Sequence, residues 1–101
     1  MSTFETNAVT LSPATILIVD DSAINLASLG GFLQAHFKVL AAPSGERALS
    51  IATGPHKPDL ILLDVMMPGM NGYDVLTTLR KNASSRHIPV IFMEQVNANQ
   101  Q

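Results

Sequence analysis

Three short runs of apolar residues stand out along the chain: Ile16-Leu17-Ile18-Val19, Leu60-Ile61-Leu62-Leu63 and Ile88-Pro89-Val90-Ile91-Phe92-Met93. Each is continuous rather than alternating and too short for a buried helix. Each therefore predicts a strand covered on both faces, as in a parallel sheet. Pro89 has no N–H and belongs at the start of its strand, where that loss matters least. A weaker run, Phe37 to Ala42, contains Lys38 and predicts an edge strand.

Between these runs, apolar positions recur at offsets of three and four. Leu26, Leu29, Phe32 and Leu33, with His36 beyond them, form a helical stripe behind a cap at Asp21 or Ser22. Gly30 and Gly31 fall inside it, each costing about 1 kcal/mol relative to Ala. A second helix is expected from Ser44, burying Ala48, Leu49 and Ala52 and stopping with Gly54 at C′. The third is the best signalled. Asn71 is its N-cap, Asp74 lies in its first turn, and Met70 is placed to staple against Val75. Leu76 and Leu79 continue its buried face, and Arg80 and Lys81 suit the carboxyl end of the helix dipole.

The order β-α-β-α-β-α-β predicts an α/β fold, with parallel strands joined by right-handed helical crossovers. One domain is expected at 14–93, between a flexible N-terminal tail at 1–13 and a polar C-terminal tail at 94–101. The segment Gly54-Pro55-His56-Lys57-Pro58 reads as a turn-rich loop inside that domain.

Composition narrows the function classes. With 101 residues, 47% hydrophobic and 14% charged, the chain suits one small folded domain rather than a disordered tail. A net charge of -2 offers no footprint for direct nucleic-acid binding. The absence of cysteine excludes a disulfide scaffold, a thiolate zinc site and a cysteine nucleophile. No apolar run approaches the roughly 18–20 residues of a membrane span. Met1 to Ser12 lacks the basic start and apolar stretch of a secretory signal, so a cytoplasmic location is expected.

The aspartates carry the candidate chemistry. Asp20 and Asp21 directly follow the first apolar run, and Asp64 directly follows the second. In open α/β sheets, ligands bind beyond the carboxyl ends of the strands. If these two strands are neighbours, about 4.8 Å apart, the three carboxylates share one pocket. Two like charges 4 Å apart repel by about 4 kcal/mol at an effective dielectric near 20. A hard divalent cation such as Mg2+ relieves that repulsion, and no cysteine or spaced histidine pair favours a softer metal.

Any one of these aspartates could instead cap a helix or open a turn; three of them after apolar strands favour a site. His36, His56 and His87 read as separate structural residues, and the methionines as packing and loop residues. Tyr73 is expected at the surface or half-buried. No G-x-G-x-x-G or Walker pattern supports nucleotide binding, and no serine has a nucleophile-elbow context.

The run Ile16 to Asp21, with Asn25 beyond it, resembles the start of a bacterial response-regulator receiver domain. The run Leu60 to Asp64 followed by Val65-Met66-Met67-Pro68-Gly69-Met70-Asn71-Gly72 is similar to that family's phosphoacceptor strand and loop. Ser44-Gly45-Glu46 with Ala48-Leu49, and the run Ile88 to Met93, resemble its second helix and fourth strand. The resemblance covers about residues 14 to 93. It implies a flavodoxin-like doubly wound parallel sheet of order 2-1-3-4, without the family's last helix, strand and helix.

It also implies roles. Asp64 would accept a phosphoryl group from a histidine kinase, a phosphotransfer protein or a small acyl phosphate. Asp20, Asp21, Asp64 and the backbone carbonyl of Met66 would hold Mg2+, and Asn25 would be a variable residue at the site edge. Such a domain is a phosphoacceptor rather than a dedicated enzyme.

Two departures alter the expectation. Glu94 stands where the family ends its fourth strand with Ser or Thr; an ionised carboxylate donates no hydrogen bond and repels a phosphoryl group. The family's fifth strand, with its lysine and its switching aromatic, has no counterpart in the sequence. A truncated receiver with impaired phosphoryl transfer or switching is therefore expected. An uncovered fourth strand further predicts a homodimer, through that strand or by exchange of an element. Two other functions remain open: a receiver-fold interaction or oligomerisation module that no longer switches, and a small aspartate-nucleophile phosphatase. The second is disfavoured, because such enzymes carry Asp-x-Asp and Asp64 is followed by Val65-Met66.

Overall fold

The apolar runs become strands of one sheet. In the computed structural model, which describes residues 12–94, β1 (Thr15–Val19), β2 (Lys38–Ala42), β3 (Leu60–Asp64) and β4 (Val90–Met93) are all parallel. Their order is β2-β1-β3-β4, as expected. Both expected tails lie outside the described residues except for Ser12, Pro13 and Glu94. The two most apolar runs take the central places, and Leu17, Ile18, Val19, Ile61 and Leu63 are fully buried. Ile88 is buried but precedes β4 rather than starting it. Pro89 lies just outside the strand, where its carbonyl accepts the Ile61 N–H at 3.0 Å.

Helices α1 (Ala23–Leu33), α2 (Gly45–Ala52) and α3 (Gly72–Lys81) form the crossovers. Each starts at a side-chain cap. Ser44 Oγ accepts the Arg47 N–H at 3.2 Å. Asn71 Oδ1 accepts the Asp74 N–H at 2.9 Å while Asp74 returns a carboxylate to the Asn71 N–H at 3.1 Å, a full capping box. Gly54 occupies C′ behind α2 without a left-handed φ, and its N–H reaches Ile51 O at 3.1 Å.

Helices α2 and α3 pack on one face of the sheet, where Ala48, Ala52, Val75 and Leu79 join Leu17, Val19, Ile61 and Leu63 in the core. Leu49 and Leu76, expected on the buried faces, are only half-buried. Arg80 does more than complement the helix dipole: its Nη1 donates to Arg86 O at 2.8 Å and Ile88 O at 2.9 Å, tying α3 to the approach to β4. The buried Ser85 Oγ donates to Leu79 O at 2.9 Å across the same connection.

The stripe expected to bury α1 is corrected. No residue of α1 is buried, and Phe32 is 76% exposed. The helix lies over β1 and β2, where Gly30 faces Ile18 and Val39. Burial on this face falls away from it along one row: Ile18 is fully buried, its neighbour Leu62 half-buried, and Ile91 on β4 53% exposed. Among the described residues α1 alone lies on this face, and a helix about 10 Å across cannot cover four strands spaced about 4.8 Å apart.

Parallel pairing brings every carboxyl end to one edge. Val19 pairs with Leu63 and Asp64 with Met93, so Asp20, Asp64 and Met93 emerge side by side there.

Candidate functional site

At that edge the carboxylates of Asp20, Asp21 and Asp64 each place an oxygen within 4.8 Å of the others. Asp20 and Asp64 are buried and Asp21 is exposed. The sequence-predicted cluster is thus brought together by the β1–β3 register.

Local bonds hold Asp20 on both oxygens. Its Oδ1 accepts the Ser22 N–H at 2.9 Å, and its Oδ2 accepts Asn25 Nδ2 at 3.1 Å. Of the two capping candidates for α1, Ser22 is the one used: its Oγ accepts the Asn25 N–H at 3.2 Å. Asp21 is therefore free of the capping role and faces solvent. Asn25, predicted at the site edge, is joined to the cluster through Asp20.

Asp64 is held differently. Its Oδ1 accepts the Met66 N–H at 3.1 Å, the turn-opening role open to any aspartate. Its Oδ2 is buried and has no hydrogen-bond partner. Buried acceptors are nearly always satisfied, so an orphan carboxylate oxygen beside two other carboxylates asks for an electrophile. Burial raises the Asp64 carboxyl above its ordinary range, and the charges of Asp20 and Asp21 add to the rise against the opposing Met66 N–H bond. The donor set is all oxygen, and its unpaired member is the most buried, which fits a hard divalent cation. The Met66 side chain is exposed.

The loop from Val65 to Asn71 closes tightly against Asp64. Gly72 N–H donates to Val65 O at 2.9 Å, and a Cβ on Gly72 would lie 2.6 Å from Asp64 O and 2.9 Å from Val65 Cα. Gly69 turns the loop with φ 76°, a conformation that costs glycine nothing. Gly72 was not among the predicted site residues. The signal for it was its position as the first helical residue after a Pro-Gly loop.

The cluster opens into a cleft of about 730 Å3. Asp20, Ser22, Asn25, Asp64 and Glu94 form its polar side, and Leu29, Phe32 and Met93 its apolar side. His36, His56 and His87 are exposed and none lines the cleft. Tyr73 is exposed, its ring tilted against Phe92 with centroids 5.0 Å apart.

Comparison with known proteins places these features in one family. The family model for the response regulator receiver domain matches residues 16–101. A probable cyclic di-GMP phosphodiesterase of Vibrio cholerae is 46% identical over 83 residues, covering 82% of this chain and 19% of that protein. Response regulator PleD of Caulobacter vibrioides is 44% identical over 81 residues, covering 79% and 18%. The chain thus spans about a fifth of the length of these curated relatives. Among solved structures, the receiver domain of the Pseudomonas aeruginosa sensor histidine kinase PA1611 superposes with a TM-score of 0.76 at 27% identity, covering 88% of this chain and 72% of that one. That protein was solved with a magnesium ion coordinated in its active-site cleft.

Proposed function

The chain belongs to the response regulator receiver domain family, and from that premise we propose that Asp64 accepts a phosphoryl group with the help of Mg2+. The orphaned Oδ2 of buried Asp64, inside a triad of carboxylates, is the observation that carries this reading. Asp20, Asp21 and Asp64, with the backbone carbonyl of Met66, are the residues that would hold the cation. When bound, Mg2+ supplies positive charge that offsets the crowded carboxylates and the phosphoryl oxygens.

The remaining chemistry belongs to the chain. A lone pair of the Asp64 carboxylate attacks phosphorus in line with the leaving group. The bond from phosphorus to the donor breaks, and its electron pair leaves with the donor histidine nitrogen or acyl oxygen. The product is an acyl phosphate on Asp64. Met66 N–H fixes one carboxylate oxygen, so the side chain meets phosphorus with its rotamer already set. Asn25 and Ser22 N–H hold Asp20 against the cluster. A histidine kinase or a phosphotransfer protein is the proposed donor. The family works as a signalling domain rather than as a dedicated enzyme, and no helix among the described residues is long and apolar enough to cross a membrane.

The test is intact-mass analysis after prolonged incubation with Mg2+ and acetyl phosphate. A phosphoryl adduct on the wild type, absent in Asp64→Asn and absent in EDTA, supports the reading. A folded wild type that never gains an adduct refutes it.

A second reading, an interaction module, is favoured by the half-exposed Ile91 on β4, whose outer edge no other described strand pairs. In that reading a second copy covers the edge, by strand addition or by exchange of an element. Light scattering that shows a stable monomer at low concentration counts against it.

A further inference from the structure

We propose that Glu94 sets the charge preference of the cleft, strengthening its hold on a divalent cation and slowing phosphoryl transfer from free anionic donors. This inference rests on the reading of Asp64 as the phosphoacceptor. Met93 pairs with Asp64, so Glu94 emerges one residue further along the adjacent strand. Strand spacing and rise put the two Cα atoms about 6 Å apart. Glu94 lines the same cleft as Asp20 and Asp64 and is exposed at its rim.

Among the described residues no positive side chain lines the cleft. The six cations of the whole sequence are Lys38, Arg47, Lys57, Arg80, Lys81 and Arg86, and none lines the cleft. Lys38 begins β2, Lys57 precedes β3, Arg80 and Lys81 close α3, and Arg86 precedes β4. All five belong to the opposite edge of the sheet, where the strands start. Arg47 lines a separate pocket with Leu40 and Ala41. Among the described residues the cleft and its margin therefore hold the carboxylates of Asp20, Asp21, Asp64 and Glu94, a formal charge that a single dication only half cancels.

An approaching phosphoryl donor is itself an anion. It meets the charge of Glu94 within one Debye length, about 8 Å at physiological ionic strength, where screening is incomplete. The same charge attracts a divalent cation. Glu94 thus favours cation binding and slows transfer from an anionic donor, without touching the reacting atoms. It is a specificity-determining residue rather than a catalytic one.

Glu94→Gln removes the charge and keeps the shape at an exposed position. Glu46→Gln removes the same charge from the exposed first turn of α2, outside the cleft, and serves as the control. Mg2+ affinity is measured by calorimetry, and the initial rate of adduct formation from acetyl phosphate at saturating Mg2+, each at low and high salt. Glu94→Gln is expected to weaken Mg2+ binding about two- to fivefold and to raise the rate by a similar factor. Both differences should shrink as salt rises, and Glu46→Gln should produce neither. Unchanged Mg2+ affinity or an unchanged rate in Glu94→Gln overturns the inference, and so does an equal response from Glu46→Gln. Failure of every protein to gain an adduct refutes Asp64 as acceptor, while the Mg2+ comparison still decides on Glu94.

Discussion

Replacing Asp64 by Asn should stabilise the metal-free protein. A buried carboxylate that helps a reaction is expected to harm the fold when its partner is missing. The three carboxylates lie within 4.8 Å of one another. At that separation each pair repels by about 1 kcal/mol in a water-like medium and by about 3.5 kcal/mol at an effective dielectric of 20. Asp21 is exposed and its share is largely screened, so the Asp20–Asp64 pair dominates. Asn keeps an oxygen for the Met66 N–H and supplies an amide that can donate to Asp20.

The expected gain is about 1–3 kcal/mol, and in a domain of this size each kcal/mol raises Tm by roughly 4–8 °C. Thermal melts followed by circular dichroism in EDTA at neutral pH and low salt measure it. The pH dependence provides a second check. Asp64 titrates higher in the folded chain than in the unfolded one, so the folded state binds more protons across that window. Its contribution is fully present below the unfolded value of 3.8 and is lost as pH rises through the raised folded value. Wild-type Tm should fall across this window more steeply than that of Asp64→Asn. Mg2+ should narrow the gap, adding about 1.4 kcal/mol to the wild type at ten times its Kd, and should reverse the ranking at roughly a thousand times its Kd, where it adds about 4.1 kcal/mol. An Asp64→Asn protein that melts at or below the wild-type temperature in EDTA would refute the argument that the cluster is electrostatically strained.

Other variants probe the frame around the site. Gly72→Ala forces a methyl group into the Asp64 and Val65 backbone, and should cost more than about 2 kcal/mol in urea unfolding while weakening Mg2+ binding. Asn71→Ala removes the capping box of α3 and should cost about 1–2 kcal/mol in the same assay. Ser85→Ala strips the buried hydroxyl bond to Leu79 O and should cost about 1 kcal/mol, with amide exchange quickening at the end of α3.

Much of the architecture was legible because each central strand announces itself by composition. Leu60 to Leu63 and Ile16 to Val19 are apolar on both faces, and only the interior of a parallel sheet requires that. The capping residues Ser44 and Asn71 were equally plain, since a helix N-terminus is satisfied by a side chain a few residues away. The three aspartates could be found for a related reason: residues directly following two apolar runs reach the same sheet edge if those strands pair. Local chemistry also specified the start of the third helix, although its Leu76 is only half-buried.

Other features depended on which neighbours the fold supplies. Leu26, Leu29 and Leu33 of α1 are half-buried, yet Phe32 stays exposed, because among the described residues one helix covers only part of this sheet face. No periodicity reveals how much of a sheet remains to be covered. Ser85 and Arg80 secure the entry to β4 by bonds six and eight residues long in sequence, which side-chain type alone does not disclose. Most telling is Asp64. Its place after a strand follows from sequence, but its two oxygens differ only because Met66 turns back toward one of them while the close approach of Gly72 shuts the loop. The order of residues along the chain set an aspartate at the end of each central strand; strand pairing brought those carboxylates together, and tertiary packing decided which oxygen would be left without a partner.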